Sequence, residues 1–229
     1  MTNAPEYVGG HGLLAGKTVL VTAAAGTGIG FAAAKKAVEE GAVVAISDKH
    51  ERRLGEAADT LAKIAGARPL AVPCDVTVES DVQNLVDTAA AELGGIDVLI
   101  NNAGLGGQAD LVDMTDDEWN VVLDVTLGGT FRMTRAALRH MRPRGRGVIV
   151  NNASVLGWRA QKGQAHYAAA KAGVMALTRC SAVEAAEFGV RVNAVAPSIA
   201  MHAFLAKTSS DELISALSSA EAFGRAAEP

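Results

Sequence analysis

The sequence predicts an α/β fold: a doubly wound parallel sheet with helices on both faces, arranged as a three-layer sandwich. Three observations predict it. Short β-branched runs alternate with longer amphipathic stretches, most of these runs are apolar at consecutive positions, and a glycine-rich turn follows the first run. Consecutive apolar positions are typical of parallel strands that are buried on both faces. Crossover helices must then cover both sides of the sheet.

The elements can be placed in order along the chain. The candidate strands are residues 18–21, 43–47, 70–72, 96–100, 147–150 and 190–195. Two capping boxes mark helix starts, one from Thr115 to Glu118 and one from Ser209 to Glu212, because hydroxyl and carboxylate there satisfy the free amides of the first turn. No strand pattern follows Phe223, although such a sheet normally ends with one more unit, so we expect the C-terminal strand to be absent from this chain.

Length, composition and charge limit the function classes. The chain has 229 residues, of which 49% are hydrophobic and 20% charged, so we expect one large core and a single domain over residues 1–229, with an N-terminal extension at residues 1–14. The net charge of −4 is spread along the chain without a basic block. This charge pattern argues against a nucleic-acid partner.

The sequence also indicates a cytoplasmic protein. No apolar run approaches the ~18 residues of a membrane span, and residues 1–14 are polar and glycine-rich where a signal peptide would be apolar. Cys74 and Cys180 lie in separate apolar segments without CxxC or Cys/His spacing. This predicts buried thiols in a reducing compartment, with neither a disulfide framework nor a metal site.

A glycine-rich turn directly after the first strand is the first candidate binding site. Its candidate cofactor-binding residues are Gly26, Thr27, Gly28, Ile29 and Gly30. Glycines at these positions let backbone amides and a helix N-terminus approach a pyrophosphate closely, as in dinucleotide-binding folds. A tight strand-to-helix turn without a ligand is the alternative interpretation.

Asp48 ends the second strand and indicates the type of dinucleotide. A carboxylate about 20 residues beyond the turn can accept hydrogen bonds from both adenosine ribose hydroxyls and repel a 2′-phosphate. Asp48 therefore favours NAD, as does Thr27, which stands where an NADP enzyme often carries a basic residue, whereas the neighbouring Lys49 leaves NADP open. Asp48 could instead cap the helix that starts near His50.

Three polar residues form the candidate catalytic set. Tyr167 and Lys171 are four residues apart, so a helix places phenol and ammonium on one face, where Lys171 can stabilise a tyrosinate and lower the pKa of the phenol. Ser154 follows a strand, at the edge where open α/β sheets present catalytic groups. A lone Tyr-x-x-x-Lys is a common surface feature, but here the glycine turn and the Asn-Asn-Ala-Gly sequence at residues 101–104 accompany it. His166, next to Tyr167, is expected to pack or cap.

With these motifs in this order and spacing, the chain resembles the short-chain dehydrogenase/reductase family over residues 14–229. The resemblance implies a Rossmann-like NAD(P)-binding domain in which Tyr167 is the general acid/base and Ser154 hydrogen-bonds the substrate oxygen. Lys171 would hold the nicotinamide ribose and lower the tyrosine pKa. The resemblance adds these residues, beside Tyr167 and Lys171, to the expected cofactor contacts: Asp75, Val76, Asn102, Ala103, Gly104 and Pro197.

The chain departs from the family pattern at three places. Thr126 stands where the catalytic tetrad of the family has an asparagine, so the water-mediated proton relay must be rebuilt or dispensed with. Ala24 replaces the first glycine of the turn and one extra residue follows Thr22, which predicts a bulge. Pro197 lacks the glycine that follows it in the family, and His202 replaces the usual threonine, which changes the expected nicotinamide contacts.

The substrate pocket is expected between Ser154, Tyr167 and a substrate-binding segment at residues 198–220. The candidate substrate residues are Trp158, Arg159, Gln161 and Phe204. Residues 155–200 resemble a subgroup from actinobacterial steroid-ring degradation, which implies oxidation of a ring hydroxyl on a methyl-indanone propanoyl-CoA. The alternatives are a 3-oxoacyl-thioester reductase that uses NADPH and, in another class, a non-catalytic dinucleotide-binding sensor.

The helix that carries Tyr167 is apolar around most of its circumference, so we expect it to be buried on two sides. In the resembled family this helix and the one predicted over residues 115–140 pack against their copies. The resemblance therefore implies a homodimer or a homotetramer.

Overall fold

The computed structural model describes residues 5–201 and 211–229. In this part of the chain six strands form one parallel sheet in the order β3-β2-β1-β4-β5-β6. The strands are β1 (Thr18–Thr22), β2 (Val43–Asp48), β3 (Leu70–Pro73), β4 (Val98–Asn101), β5 (Gly147–Asn152) and β6 (Val190–Val195). The predicted doubly wound α/β fold is confirmed, because every strand comes from a predicted apolar run.

Helices connect consecutive strands. They are α1 (Ile29–Glu39), α2 (Glu51–Ala65), α3 (Glu79–Leu93), α4 (Asp116–Leu123), α5 (Gly129–Met141), α6 (Ala165–Ala186) and, near the end of the chain, α7 (Asp211–Ser219). A π-helical turn, Asp124–Gly128, joins α4 to α5. The Thr115 hydroxyl accepts a hydrogen bond from the Glu118 amide and the Glu118 carboxylate accepts one from the Thr115 amide, which confirms the first capping box. The second begins at Ser209, outside the described residues.

Two hydrophobic clusters lie on opposite faces of the sheet. Val19 and Val21 of β1 belong to the same cluster as Leu54 of α2, whereas Leu20 belongs with Leu85 of α3. Successive side chains of a strand point to opposite faces, so this division shows that helices cover both sides. The predicted three-layer arrangement is therefore confirmed.

The strand order reverses direction at β1. From β1 the chain proceeds outward to β2 and β3 on one side, and then returns to β4, β5 and β6 on the other. In open α/β sheets, ligands bind in the crevice outside the carboxyl ends of the strands at such a switch point. The segments that follow β1 and β4 are therefore the natural walls of a binding site.

Glu40, at the end of α1, ties the N-terminal segment to the domain. Its side chain is almost completely buried, and its carboxylate accepts hydrogen bonds from the amides of His11 (2.8 Å) and Leu13 (3.0 Å). Lys36 forms an ion pair with it at 3.2 Å. The amides of Leu13 and His11 are the main cause that lowers the pKa of Glu40 to about 2.

The expectation that both thiols are buried needs correction at Cys180. Cys74 is buried, and burial raises the pKa of its thiol to about 12, but Cys180 is exposed because it lies on the side of α6 that faces away from the sheet.

Among the described residues no seventh strand joins the sheet, and a single bridge pairs Ala200 with Ala227. No helix of the described ranges is long and apolar enough to cross a membrane.

Candidate active site

The glycine turn between β1 and α1 brings backbone very close to backbone. A side chain at Gly30 would place its Cβ 2.4 Å from the Ala23 carbonyl oxygen and 2.4 Å from Asn102 Nδ2, so only glycine fits there. Gly26 has a backbone φ of +120°, which residues other than glycine rarely adopt. Gly28 is the N-cap residue of α1 and offers no side-chain cap to the free amides of the first turn. The turn thus presents unobstructed amides at a helix N-terminus, the arrangement that binds phosphate groups.

The extra residue of this turn is accommodated by a left-handed backbone. Ala23 has a φ of +50° and is the one described non-glycine residue with a positive φ. The next residue, Ala24, is completely buried and its amide donates to the Ser47 carbonyl oxygen at 3.0 Å. The chain turns at Ala23 and then resumes contact with β2, while the bulge relative to the family pattern stays a prediction.

Asp48 lies beside the glycine turn at the carboxyl end of β2. One carboxylate oxygen accepts from the His50 amide at 3.0 Å and the other from the Ala25 amide at 3.4 Å. The N-cap position of α2 belongs to His50, so Asp48 does not cap this helix. Lys49 is exposed next to it. The carboxylate is therefore fixed at the place where an adenosine ribose would meet the end of the second strand.

Asp75 and Val76 follow β3 and have different surroundings. The Asp75 carboxylate accepts hydrogen bonds from the Thr77 amide (2.9 Å) and hydroxyl (2.7 Å), and the bond from the amide is the main cause that lowers the Asp75 pKa. Val76 is buried against α5, where a Cβ at Gly129 would lie 2.5 Å from Val76 Cγ2. This segment adjoins Asp48, because the Cys74 amide donates to the Asp48 carbonyl oxygen at 3.2 Å.

The segment after β4 is bound to the end of β1 through the Thr22 hydroxyl and the Asn102 side chain. Thr22 Oγ1 accepts hydrogen bonds from the amides of Asn102 (3.0 Å) and Ala103 (3.1 Å). The Asn102 side chain donates to the Ala23 carbonyl oxygen at 3.1 Å. These contacts hold the predicted Asn102, Ala103 and Gly104 segment against the glycine turn, on opposite sides of the strand-order reversal.

The structure brings Tyr167, Lys171 and Ser154 together. Tyr167 and Lys171 lie on consecutive turns of α6, with Lys171 Nζ 5.5 Å from the centroid of the Tyr167 ring. Lys171 is 3% exposed, and its ammonium donates to the Asn152 carbonyl oxygen at 2.6 Å. Ser154 is buried at the end of β5, and its hydroxyl accepts from the Leu156 amide at 3.2 Å.

The electrostatics of this set differ from the sequence expectation. Burial raises the pKa of the Tyr167 phenol above its usual 10.0, and a hydrogen bond with Ser154 opposes the shift. Burial also lowers the pKa of Lys171 to about 8. Lys171 is not among the causes that shift the Tyr167 pKa, and its ammonium donates to the Asn152 carbonyl oxygen. At neutral pH the phenol therefore carries its proton and can donate it.

Pro197, which follows β6, lies beside the turn that contains Ser154. Its carbonyl oxygen accepts from the Val155 amide at 3.0 Å, and the Ala153 amide donates to the Val195 carbonyl oxygen at 2.8 Å. The chain after β6 is thus held to both sides of Ser154.

The hydroxyl of Thr126 is committed to the protein backbone. Thr126 is completely buried in the π-helical turn, where Oγ1 donates to the Leu105 carbonyl oxygen (3.0 Å) and accepts from the Leu105 amide (2.9 Å). Its own carbonyl oxygen accepts from the Thr130 hydroxyl at 2.7 Å. A Cβ at Gly104 would lie 3.5 Å from Lys171 Nζ and 3.7 Å from Thr126 Oγ1, so Thr126 and Lys171 flank the same glycine. The hydroxyl positions the loop after β4.

Two loops on the substrate side are fastened together. Gln164 Nε2 donates to Gln108 Oε1 at 2.9 Å, and the Ala109 backbone amide donates to the Gly163 carbonyl oxygen at 3.1 Å. These bonds join the loop after β4 to the loop before α6, and we call them the loop clasp. The clasp lies in the same loop as Gly106, where a Cβ would be 3.8 Å from the Tyr167 ring.

Glycines after β4 let this loop lie directly on α6. A Cβ at Gly106 would lie 3.8 Å from the Tyr167 ring, and one at Gly107 would lie 2.7 Å from His166 Nε2. His166 is 1% exposed and sits at the second position of α6, after the N-cap residue Gln164. It therefore packs under the loop and does not cap the helix.

The residues expected on the substrate side are dispersed. Trp158 is 68% exposed and lines a cleft between α6 and β6 whose lining includes none of the three catalytic candidates. Arg159 is exposed and forms an ion pair with Glu221 at 3.7 Å. Gln161 precedes the loop clasp, where its carbonyl oxygen accepts from the Gln164 amide at 3.3 Å. Phe204 lies outside the described residues.

Sequence reasoning missed Asn152 as a member of the site. Its carbonyl oxygen binds Lys171, and its side chain donates to Asn102 Oδ1 at 2.9 Å. A signal was present, because asparagine doublets end both β4 (Asn101 and Asn102) and β5 (Asn151 and Asn152), two strands that pair in register. Neighbouring doublets at the same edge of a sheet indicate amide ladders.

Comparison with known proteins agrees with this geometry. A family model described as short chain dehydrogenase matches residues 17–213. A Mycobacterium tuberculosis protein named (5R,7aS)-5-hydroxy-7a-methyl-1-oxo-2,3,5,6,7,7a-hexahydro-1H-indene-carboxyl-CoA reductase is 65% identical over 228 residues, which cover 99% of this chain and 87% of that protein. Cis-4-hydroxycyclohexanecarboxylate dehydrogenase from Sinomonas cyclohexanicum is 41% identical over 215 residues, covering 92% of this chain and 84% of the relative.

Solved structures are similar as well. The crystal structure of a short chain dehydrogenase from Mycobacterium smegmatis superposes with a TM-score of 0.88 at 60% identity, covering 99% of this chain and 86% of that one. A 3-oxoacyl-[acyl-carrier-protein] reductase from Thermotoga maritima is a more distant relative, 40% identical over 187 residues, or 80% of this chain and 74% of the relative.

Proposed function

Because the chain belongs to the short-chain dehydrogenase/reductase family, we propose that it interconverts a ring hydroxyl and a ketone on a steroid-derived methyl-indanone CoA thioester, with NAD as the hydride carrier. The observation that carries the proposal is that Tyr167, Ser154 and Lys171 lie together near a glycine turn. In that turn only glycine fits at residue 30. An oxidoreductase of this family needs that combination of proton donor, oxygen ligand and dinucleotide cradle.

Tyr167 moves the proton of the reaction. In the reductive direction its hydroxyl donates a proton to the developing alkoxide, and in the oxidative direction it takes the proton of the alcohol. Burial keeps the pKa of Tyr167 above 10.0, which keeps the phenol protonated at neutral pH and suits the reductive direction. Ser154, which shares a hydrogen bond with Tyr167, would hold the same substrate oxygen.

The residues present fit a nicotinamide dinucleotide. The amides of Gly28 and Ile29 would receive the pyrophosphate, and glycine at residue 30 lets the start of α1 pack directly against the Ala23 carbonyl oxygen and Asn102 Nδ2. Lys171, beside Gly104, would hold the nicotinamide ribose. The bound dinucleotide supplies or accepts the hydride.

Asp48 supports NAD in preference to NADP. Its carboxylate is held at the end of β2 by two backbone amides, so it stays where it would bind the ribose hydroxyls and repel a 2′-phosphate. Lys49 is exposed, and its positive charge contributes to lowering the pKa of Asp75. Lys49 therefore also acts on the region where the adenosine would bind. In our proposal the fixed Asp48 carboxylate outweighs the Lys49 ammonium, and NADH is the expected cofactor.

The substrate proposal rests on the Mycobacterium tuberculosis relative. The name of that protein describes a hydroxylated methyl-oxo-hexahydroindene ring carried on a carboxyl-CoA thioester, whereas the sequence analysis expected a propanoyl-CoA side chain on the ring. At 65% identity over nearly the whole chain, the same bicyclic ring is the substrate we propose. Trp158, Arg159, Gln161 and Phe204 stay predicted substrate residues.

A homodimer or homotetramer is proposed as the working state. The outer side of α6 exposes a row of small and apolar residues, Ala172, Ala176 and Val183, of which Val183 is 73% exposed. Val121 of α4 and Phe131 of α5 are also more than 40% exposed. Exposed apolar residues on neighbouring helices are typical of an interface between copies.

The test combines binding and turnover. The purified protein is titrated with NADH and with NADPH by fluorescence, and turnover is measured on the ring-hydroxylated bicyclic carboxyl-CoA thioester, on its propanoyl-CoA counterpart and on a 3-oxoacyl thioester. Preference for NADH with turnover of a bicyclic thioester supports the proposal. Preference for NADPH with reduction of the 3-oxoacyl thioester would overturn it in favour of the activity named for the Thermotoga maritima relative.

Tyr167→Phe is the matched control for chemistry. It removes only the hydroxyl, so dinucleotide affinity should stay within about twofold while the rate falls by about two to four orders of magnitude. Normal turnover by this variant would show that another group moves the proton.

A further inference from the structure

A chain of hydrogen bonds runs from the glycine turn to the buried lysine across the ends of three strands. The Ala23 carbonyl oxygen accepts from Asn102 Nδ2 at 3.1 Å, and Asn102 Oδ1 accepts from Asn152 Nδ2 at 2.9 Å. The Asn152 carbonyl oxygen then accepts from Lys171 Nζ at 2.6 Å. We propose that Asn152 is a positioning residue, which sets the place of the Lys171 ammonium relative to the dinucleotide turn. The inference rests on the role proposed for Lys171.

The Ala23 carbonyl oxygen determines the orientation of the side-chain amides of both Asn102 and Asn152. A carbonyl oxygen can only accept, so Asn102 must direct its NH₂ group at Ala23 and its oxygen at Asn152. Asn152 must then direct its NH₂ group at Asn102. Asn152 Oδ1 is buried and has no hydrogen-bond partner among the described residues. The bond to Asn102 is therefore the hydrogen bond that holds the side chain in this orientation.

The series of hydrogen bonds begins at a residue with a strained backbone. Ala23 holds a left-handed φ of +50°, a conformation that surrounding contacts have to maintain. Asn102 binds the carbonyl oxygen of this residue, and Asn152 fixes Asn102. The shape of the glycine turn and the position of Lys171 are thus linked through two side-chain amides and one backbone carbonyl.

The same two strands contain a matched pair that lacks this link. Asn101 Nδ2 donates to Asn151 Oδ1 at 2.9 Å, the same distance as in the pair of Asn102 and Asn152. Asn151 Nδ2 continues to the hydroxyl of Thr178 on α6 at 2.9 Å, and Asn101 also donates to the hydroxyl of Thr134 on α5. The hydrogen bonds found for this inner pair reach neither Lys171 nor the glycine turn, so it is an internal control for the loss of an amide pair.

The experiment compares Asn152→Ala with Asn151→Ala in the full-length protein. NADH affinity, kcat and KM for the bicyclic thioester, the pH profile of kcat and Tm are measured for each. Asn152→Ala should raise the NADH Kd and lower kcat, each by about tenfold, and shift the pH at which kcat changes, because Lys171 loses its fixed position. KM for the thioester should change less than about threefold, because the substrate side is walled by other loops.

Asn151→Ala should lower Tm at least as much while NADH affinity, kcat and the pH profile stay near those of the unmodified protein. Asn102→Ala combined with Asn152→Ala should be no worse than the more damaging single variant, because both act through one chain. Asn152→Val, which suits a strand but cannot donate, replaces Asn152→Ala if that variant does not fold.

The outcomes are distinguishable. If the unmodified protein neither binds NADH nor turns over a thioester, the proposed function fails. If the unmodified protein is active and Asn152→Ala changes only Tm, or if neither Asn152 variant folds, Asn152 is a structural residue and the positioning inference is overturned. An additive effect of the Asn102 and Asn152 substitutions would also overturn it.

Discussion

Replacing Gly30 by alanine tests whether the glycine turn is built as closely as its geometry indicates. The new Cβ would lie 2.4 Å from a backbone oxygen and 2.4 Å from Asn102 Nδ2, whereas ordinary contact begins at 3.4 Å. The turn must therefore move by about 1 Å, a distance at which overpacking typically costs about 1–3 kcal/mol. The shift would also separate Asn102 from the Ala23 carbonyl oxygen.

Two measurements read out this change. Each kcal/mol corresponds to a Tm change of about 2–4 °C in a chain of this size, so Gly30→Ala should melt roughly 2–12 °C lower. Because the displaced amides are those proposed to bind the pyrophosphate, the NADH Kd should rise by about tenfold or more. Differential scanning fluorimetry and fluorescence titration give the two values on one preparation.

Gly55→Ala is the matched control. Gly55 lies within α2, and its Cβ would meet only Arg68 Nη2 at 3.8 Å, an ordinary contact. Alanine in a helix is more favourable than glycine by about 0.5–1 kcal/mol, so this variant should melt higher and bind NADH unchanged. The reasoning is refuted if Gly30→Ala keeps the Tm and NADH affinity of the unmodified protein.

The remaining predictions follow from charges. Lys171→Met should abolish turnover yet raise the unfolding free energy at pH 7 by up to about 3 kcal/mol, because it removes an ammonium whose pKa burial lowers to about 8. The unfolded state holds that proton up to about pH 10.5, so the unmodified protein gains stability as pH rises from 8 to 10.5 and the difference measured in urea should shrink over that range; a constant difference would contradict this. Asp48→Ser should raise NADPH affinity relative to NADH by about tenfold, measured by titration, since a repelling carboxylate is lost and Lys49 remains; an unchanged ratio would show that Asp48 does not choose the cofactor. Glu40→Gln should lower Tm at neutral pH but not near pH 2, because the folded pKa of about 2 means that this carboxylate stabilises above pH 4.5 and loses its effect as pH falls towards 2; equal Tm losses at both pH values would refute the role of its charge.

Much of the fold could be predicted because strands and turns have local signals. The β-branched runs placed all six strands, and the spacing of Tyr167 and Lys171 placed both on one side of a helix. The same periodicity was less informative for α6, where apolar residues all around the helix predicted two buried sides. In the chain by itself only the side that faces the sheet is buried, which leaves Cys180 exposed.

The rest of the site depends on backbone partners and loop paths, which have no sequence signal. The partner of Lys171 is the backbone carbonyl oxygen of Asn152, and every residue has such an oxygen, so the asparagine doublets could indicate the bond between Asn102 and Asn152 but not the contact with Lys171. Thr126 stays predicted to change a proton relay, whereas the contact of its hydroxyl with the backbone of Leu105, a loop residue 21 positions away, had no sequence signal. Trp158 was assigned to the pocket for its size, yet its position depends on the path of the turn after Ser154.

The loop clasp has a consequence for how this family member could acquire new substrates. Gln108 and Gln164 fasten the two loops nearest Tyr167 to each other, and the glycine at residue 107 is fitted to the buried His166. A substitution in either loop would disturb the surroundings of the proton donor. Changes that preserve the rate should therefore accumulate in residues 198–220, the predicted substrate-binding segment. Substrate preference and catalytic rate would then vary independently, in separate parts of one short chain.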